Sequence, residues 1–337
     1  MKILIIGGTG TISSEISRQL QRDGHELTLL NRGNKKDSAP KGAELLCGDY
    51  HKVEEMEALL VGRKFDVVAN FIAFKLEDVQ RDYGLFKDIT KQYVFVSTAS
   101  AYQKPSVNVV VNESTPLSNP YWQYSRDKIA CEEWLMERFR EGGFPLTIVR
   151  PSHTYGNKSV PTAIHGGASW AVIKRIQEGK PVLIHGDGSS LWTLTHNTDF
   201  ANGFIGLLSN PHAIGQAVQI TSDESLSWTQ IYEIIARKLG VKLNPCYVTS
   251  QQVIKLGKQV GYDFEGGLLG DKSVSVIFDN SKLKRLVPGF MATMRFDQGV
   301  SRTIDYILEN PKYQHEDPDF DKFCDMVADK ISGLMSS

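Results

Sequence analysis

Lys2-Ile-Leu-Ile-Ile6 runs without a break into Gly7-Gly8-Thr9-Gly10-Thr11-Ile12-Ser13, after which the pattern turns helical. Few architectures accommodate that order. A short apolar run with no polar alternation reads as a strand buried on both faces, as in a parallel sheet covered by helices. A glycine turn between such a strand and a helix brings backbone N–H groups to the positive end of that helix, where a pyrophosphate can sit. Gly7 permits the tight turn and Gly10 the close approach, with Thr11 and Ile12 opening the helix beside it. Ser13 replaces the third glycine usual in such turns, which predicts slightly looser packing of helix on strand.

The rhythm that follows is βα. The helical stretch Ser13 to Asp23 leads to strand-like runs at Glu26–Leu30, Leu45-Leu46, Asp66–Ala69, Tyr93–Val96 and Leu146–Val149, with helical patterns such as Val53–Leu60 between them. This predicts an α/β chain built as a Rossmann-type doubly wound parallel sheet. Beyond about residue 150 the pattern is less regular: a helix over Ala168–Gln177, a short strand at Pro181–Ile184, a turn at His185–Ser189 and an amphipathic helix over Thr229–Leu239. The expected division is a dinucleotide-binding domain over 1–150. Residues 151–337 then form mainly a smaller C-terminal substrate lobe, interleaved with the last strands of the sheet. The tail from Pro311 carries Phe320, Phe323, Met326, Val327 and Ile331 at helical spacing, which predicts a packed terminal helix.

Charge narrows the classes of partner. With 38 basic and 39 acidic residues the formal net charge is −1, which offers neither nucleic acid nor a membrane surface an electrostatic footprint. No stretch approaches the roughly 20 apolar residues of a membrane helix, and the run Ile3–Ile6 is too short for a signal peptide. The four cysteines, Cys47, Cys131, Cys246 and Cys324, lack metal-ligand spacing, and no metal is expected. Their scatter suits small buried hydrophobes in a reducing cytoplasm.

The chemistry is carried by a few positions. The second strand ends in Asn31-Arg32, with Lys35 and Lys36 close behind, where an acidic residue would bind the adenosine ribose diol of NAD. Asn31 removes the carboxylate that would repel a 2′-phosphate and Arg32 can bond to one, so NADP is favoured over NAD. Asp49, after the third strand, can accept from the adenine amine. Tyr124 and Lys128 stand four apart on one helix face. A free phenol titrates near 10, and a neighbouring ammonium together with an oxidised nicotinamide lowers that value. The hydroxyl run after Phe95-Val96 supplies a third member, in which Thr98, Ser97 or Ser100 can hold the substrate oxygen.

These residues resemble the extended short-chain dehydrogenases/reductases of the NAD-dependent epimerase/dehydratase superfamily. The resemblance rests on Gly7–Gly10, Val94-Phe-Val-Ser-Thr98-Ala-Ser-Ala-Tyr102, the Tyr124/Lys128 pair, Arg150-Pro-Ser-His-Thr-Tyr-Gly156, His185-Gly-Asp-Gly188 and Thr195-His-Asn-Thr-Asp199, and it runs to about residue 310. It implies hydride transfer between a sugar carbon and the nicotinamide, with Tyr124 as acid/base, Thr98 orienting the oxygen and Lys128 tuning the phenol. Pro151 would border the nicotinamide, and Ser100, His153 and Trp192 would meet a sugar-like substrate. Where the family commonly carries a diphosphate-binding arginine this chain has Trp192, and its usual asparagine is His153. The Asp-Glu pair of 4,6-dehydratases is here Ala99-Ser100, which leaves epimerase or reductase chemistry ahead.

Many such relatives dimerise through two long helices, for which Asp78–Lys87 and Ile129–Arg140 would serve. The rival expectation is a non-catalytic dinucleotide-binding regulator or RNA-binding protein on the same scaffold. Chloroplast stem-loop RNA-binding proteins and redox-sensing regulators resemble the chain around Asn31-Arg32-Gly33. The presence of Tyr124, Lys128 and Thr98 and the lack of a basic surface stand against it.

Overall fold

A computed structural model describes residues 1–33 and 39–335; Lys35 and Lys36 lie outside the described residues. Seven strands form one parallel sheet: β1 Lys2–Ile6, β2 Glu26–Asn31, β3 Glu44–Cys47, β4 Val67–Asn70, β5 Tyr93–Val96, β6 Leu146–Pro151 and β7 Gln216–Ile220. Their order across the sheet is β3-β2-β1-β4-β5-β6-β7. Ile6 pairs with Leu30 on one side and Asn70 on the other. The chain thus leaves β1 in one direction and returns to its far side at β4. The carboxyl ends of β1 and β4 therefore flank the crevice in which doubly wound sheets bind ligands.

Alternation along β1 explains why both faces must be covered. Ile3 and Ile5 pack with Ile16 and Leu20 of helix α1 (Ser13–Arg22) and with Phe200 and Phe204. Leu4 and Ile6 face the other way, toward Met56 of α2 (Val53–Leu60), Val79 and Phe86 of α3 (Leu76–Phe86), and Cys131 and Leu135 of α4 (Gln123–Gly142).

A separate hydrophobic core is built wholly from residues beyond 154, around Trp192, Trp228, Tyr232 and Phe264. The tail joins it as the helix Pro318–Met335, through Phe320, Phe323 and Val327, with Met326 and Ile331 partly buried. Arg175 fastens that helix, its guanidinium donating to Asp321 at 2.5 Å and Asp325 at 2.7 Å.

One expectation gains a detail and another is corrected. Ser13 holds the turn itself together. Its hydroxyl donates to the Gly7 carbonyl at 2.6 Å and accepts from the Gly10 N–H at 3.0 Å, so the larger side chain clasps the loop. The cysteines are not uniformly buried: Cys131 and Cys324 are, but Cys47 is exposed and Cys246 half-buried, and all four are free thiols. Cys47 ends β3, an edge strand whose Leu45 and Leu46 pack into the cores on either side of the sheet while Cys47 itself stays uncovered.

Candidate active site

Two adjoining cavities open at the carboxyl ends of the strands. The first, of about 400 Å³, is lined by Gly7, Thr9, Gly10, Asn31, Arg32, Asp49, Ile72 and Phe74 among others. Gly7 is required twice over: its φ is +84°, and a Cβ there would stand 2.5 Å from Ile72 Cγ2. Asn31 Oδ1 accepts from the Gly33 N–H at 2.8 Å, while its buried Nδ2 finds no partner among the described residues. Arg32 is exposed at the rim, and the Asp49 carboxylate caps its own turn, accepting from the His51 N–H at 3.1 Å. Thr11 and Ile12 do not line this space. The Thr11 carbonyl is taken by Asn197 Nδ2 at 3.0 Å, and Ile12 packs toward the sheet.

Asn70, at the end of β4, shapes the opposite wall. Its Oδ1 accepts from the N–H groups of Ile72 and Ala73 at 2.8 and 3.0 Å. Its Nδ2 donates to Asp82 at 2.6 Å, and the Tyr93 hydroxyl donates to the same carboxylate. A buried network on α3 and β5 thus sets the segment that carries Ile72, Ala73 and Phe74.

The second cavity, of about 280 Å³, is lined by Thr98, Ser100, Tyr124, Pro151, His153 and Trp192 together with Lys104, Trp122 and Asp271. Thr98 leaves β5 and caps the tight turn Ala99–Ala101, accepting from the Ser100 N–H at 3.2 Å. Hydroxyls continue from Thr98 to Ser100 at 3.0 Å and on to Ser125 at 2.7 Å. Ser97 does not join them: its buried hydroxyl is unpartnered and off the cavity.

Tyr124 enters from the first turn of α4, its ring centroid 5.0 Å from that of Trp122 and 6.2 Å from that of Phe74. Phe74 also lines the glycine-turn cavity, so the two spaces meet at this aromatic wall. Burial raises the phenol's pKa, and the Thr98 hydroxyl against it pulls the other way. Lys128, one turn on, is 1% exposed, and its ammonium donates to the carbonyls of Ala73 and Val96, each at 2.7 Å. The cation lies 6.0 Å from the Tyr124 ring centroid, and burial pushes its pKa down to about 8.

His153 and Trp192 both reach the cavity. Desolvation, with a smaller contribution from Lys272, pushes His153 down to about 3, so it is a neutral imidazole. Trp192 does two things: it packs on Trp228 at 6.0 Å between centroids and presents a buried indole N–H with no partner among the described residues. Lys104 and Asp271 were not legible as site residues, because isolated charges far apart in a chain look like solvated surface.

Residues 3–221 match the NAD dependent epimerase/dehydratase family. The chain belongs to that family of enzymes. It is 23% identical over 291 residues to 2'-dehydrokanamycin reductase of Streptomyces kanamyceticus, covering 86% of this chain and 80% of the reductase. It is 24% identical over 276 residues to the chloroplast stem-loop binding protein of 41 kDa b of Arabidopsis thaliana, covering 78% and 70% of the two chains. The fold matches that of UDP-glucuronic acid 4-epimerase from Bacillus cereus, solved with UDP-glucuronic acid and NAD. That match has a TM-score of 0.73 at 20% identity, over 92% of this chain and 99% of the epimerase. Among the described residues no helix is long and apolar enough to cross a membrane.

Proposed function

We propose that the protein is an NAD(P)-dependent oxidoreductase or epimerase that interconverts a hydroxyl and a ketone on a sugar-like substrate. The observation that carries this reading is that Thr98 and Tyr124 line one cavity, with the Lys128 ammonium buried 6.0 Å behind the Tyr124 ring, while Phe74, beside that ring, lines the glycine-turn cleft. The cleft suits a dinucleotide: Gly7 keeps its floor to bare backbone, where a Cβ would collide with Ile72, and among the described residues the buried Asn31 Nδ2 is a donor without an acceptor. Asn31 and the rim guanidinium of Arg32 favour the 2′-phosphate of NADP.

Bound nicotinamide supplies hydride acceptance and donation at its C4. The chain moves the proton. In the oxidative direction the Tyr124 phenolate oxygen takes the substrate hydroxyl proton while the carbinol carbon becomes a carbonyl; in reduction the phenol returns it. Thr98 holds the same substrate oxygen through its hydroxyl. Lys128, kept cationic by two carbonyls, stabilises the phenolate, and its third N–H remains for a ribose hydroxyl. Pro151, His153 and Trp192 wall the ring, with the neutral imidazole acting only as a hydrogen-bonding surface.

Similarity to a stem-loop binding protein raises RNA as a rival ligand, and the balance of 38 basic against 39 acidic residues argues against it. The test is Tyr124→Phe, assayed by NAD(P)H absorbance across sugars and nucleotide sugars. Turnover should fall by about 100-fold or more with cofactor affinity within about twofold. Unchanged turnover would sink the assignment of Tyr124.

A further inference from the structure

Three charged side chains unused by that mechanism close around the same space. Lys104 lines the Tyr124 cavity and is 5% exposed. Asp271 lines that cavity and also a neighbouring one of about 590 Å³, of which Lys272, 8% exposed, forms part of the wall. The two spaces share Trp122, Tyr124 and Asp271, so they are parts of one cleft around the phenol. Among the described residues neither ammonium has an ion pair or hydrogen bond; each feels Asp271 only through space. A buried ammonium without a partner is costly unless a ligand supplies one. Burial accordingly pushes both lysines' pKa values down and the Asp271 carboxyl up to about 6.

The backbone holding these groups is firmly placed. The Lys104 N–H donates to the Ser118 carbonyl at 2.8 Å. Asn119 Nδ2 bridges the carbonyls of Ser100 and Gly270, each at 2.8 Å, tying the hydroxyl turn to the segment that carries Asp271. The Lys272 carbonyl meets His185 Nε2 at 3.0 Å and accepts from the Trp228 indole at 3.3 Å. Leu268–Lys272 is a π-helical turn, in which the Ser273 N–H reaches back five residues to the Leu268 carbonyl at 3.0 Å. Such turns are uncommon and concentrate at functional sites. The unpartnered indole N–H of Trp192 belongs to the same wall.

We propose, building on the hydride-transfer reading above, that this cleft selects a sugar bearing one oxyanion, a carboxylate or a phosphate, on the reacting ring. Lys104 binds the oxyanion, Lys272 completes the positive field, Trp192 donates its indole N–H, and Asp271 accepts from a neighbouring ring hydroxyl. Charge supports an anionic substituent: two lysines against one aspartate leave net positive charge to be matched, with His153 neutral. Position supports the ring rather than a distant nucleotide, because Lys104 lines the same cavity as Tyr124, Thr98 and Pro151.

The test is calorimetric titration of NADP-saturated protein with glucuronate, glucose 6-phosphate and glucose. At least one of the two anions should bind about tenfold or more tightly than glucose, as a charge-assisted bond to a buried ammonium implies. Preference for glucuronate identifies a carboxylate site, and preference for glucose 6-phosphate a phosphate site. Lys104→Met should abolish the advantage, Lys104→Arg should retain most of it, and Lys272→Met should reduce it. Unaltered NADP affinity shows that each variant is folded. Glucose binding as well as both anions, no binding of any of the three, or undiminished anion affinity in Lys104→Met would overturn the proposal. Failure to bind NADP or NAD at all would instead strike the hydride-transfer reading.

Discussion

Replacing Lys128 by methionine separates what this residue does for chemistry from what it costs the fold. Its pKa falls from 10.5 to about 8, chiefly through burial. At about 1.4 kcal/mol per pKa unit, holding the ammonium charged in the folded chain costs about 3 kcal/mol. Methionine fills similar volume and removes that cost, but leaves the carbonyls of Ala73 and Val96 without their donor. Each lost bond costs on the order of 1 to 2 kcal/mol. The contributions nearly cancel, so at neutral pH the variant should lie within about 1 kcal/mol of the native chain.

The pH dependence discriminates further. Unfolded lysine keeps its proton to about 10.5 while folded Lys128 releases it at about 8, so the native chain gains stability as pH rises through that window. The variant has no such gain. Between about pH 7 and about pH 9.5 the native chain should therefore improve on Lys128→Met by about 2 kcal/mol. Urea unfolding followed by tryptophan fluorescence at both pH values reads this difference directly. Turnover in the same variant should drop by about 100-fold or more, because the phenol loses its cationic neighbour. A stability difference that stays flat with pH would refute the reading of Lys128 as a charge buried at a cost.

Two further outcomes are expected. Gly7→Val places a β-branched side chain at φ +84° with its Cβ 2.5 Å from Ile72 Cγ2. It should cost about 2 kcal/mol or more and weaken cofactor binding about tenfold or more; calorimetry with NADP showing native affinity would contradict the cradle described for the glycine turn. Arg32→Glu should weaken NADP by about tenfold or more while leaving NAD within about twofold; an equal effect on both cofactors would place Arg32 outside any 2′-phosphate site.

Much of the architecture was written locally. The uninterrupted run Ile3–Ile6 can only be buried on both faces, and the βα rhythm that follows dictates strands ordered as crossovers require. Tyr124 and Lys128 share a face by helical spacing, and Thr98 stands where a strand must end, so their grouping was legible in the sequence, although only packing shows that Thr98 and Tyr124 line the cavity while Lys128 lies buried behind them. His153 and Trp192 were also named from the sequence, although only packing shows that the tryptophan supports the lobe and lines the cavity at once. Local reasoning did not foresee the clasp made by Ser13, because the value of a hydroxyl depends on which backbone groups come within reach, here Gly7 and Gly10. It misplaced Cys47 because exposure depends on what packs over a residue, and Cys47 stays uncovered where Leu46, one residue earlier, is buried.

Lys104, Asp271 and Lys272 mark the limit. Their meeting depends on Asn119 joining the Ser100 turn to Gly270 and on Trp228 and His185 fixing the Lys272 carbonyl. The sequence by itself determined the sheet, the glycine turn and the shared helix face of Tyr124 and Lys128, because each follows from periodicity and backbone chemistry within a few residues. Only the tertiary structure decided which charges line the cleft around Tyr124, because a side chain's burial and its unpaired state are properties of everything packed around it.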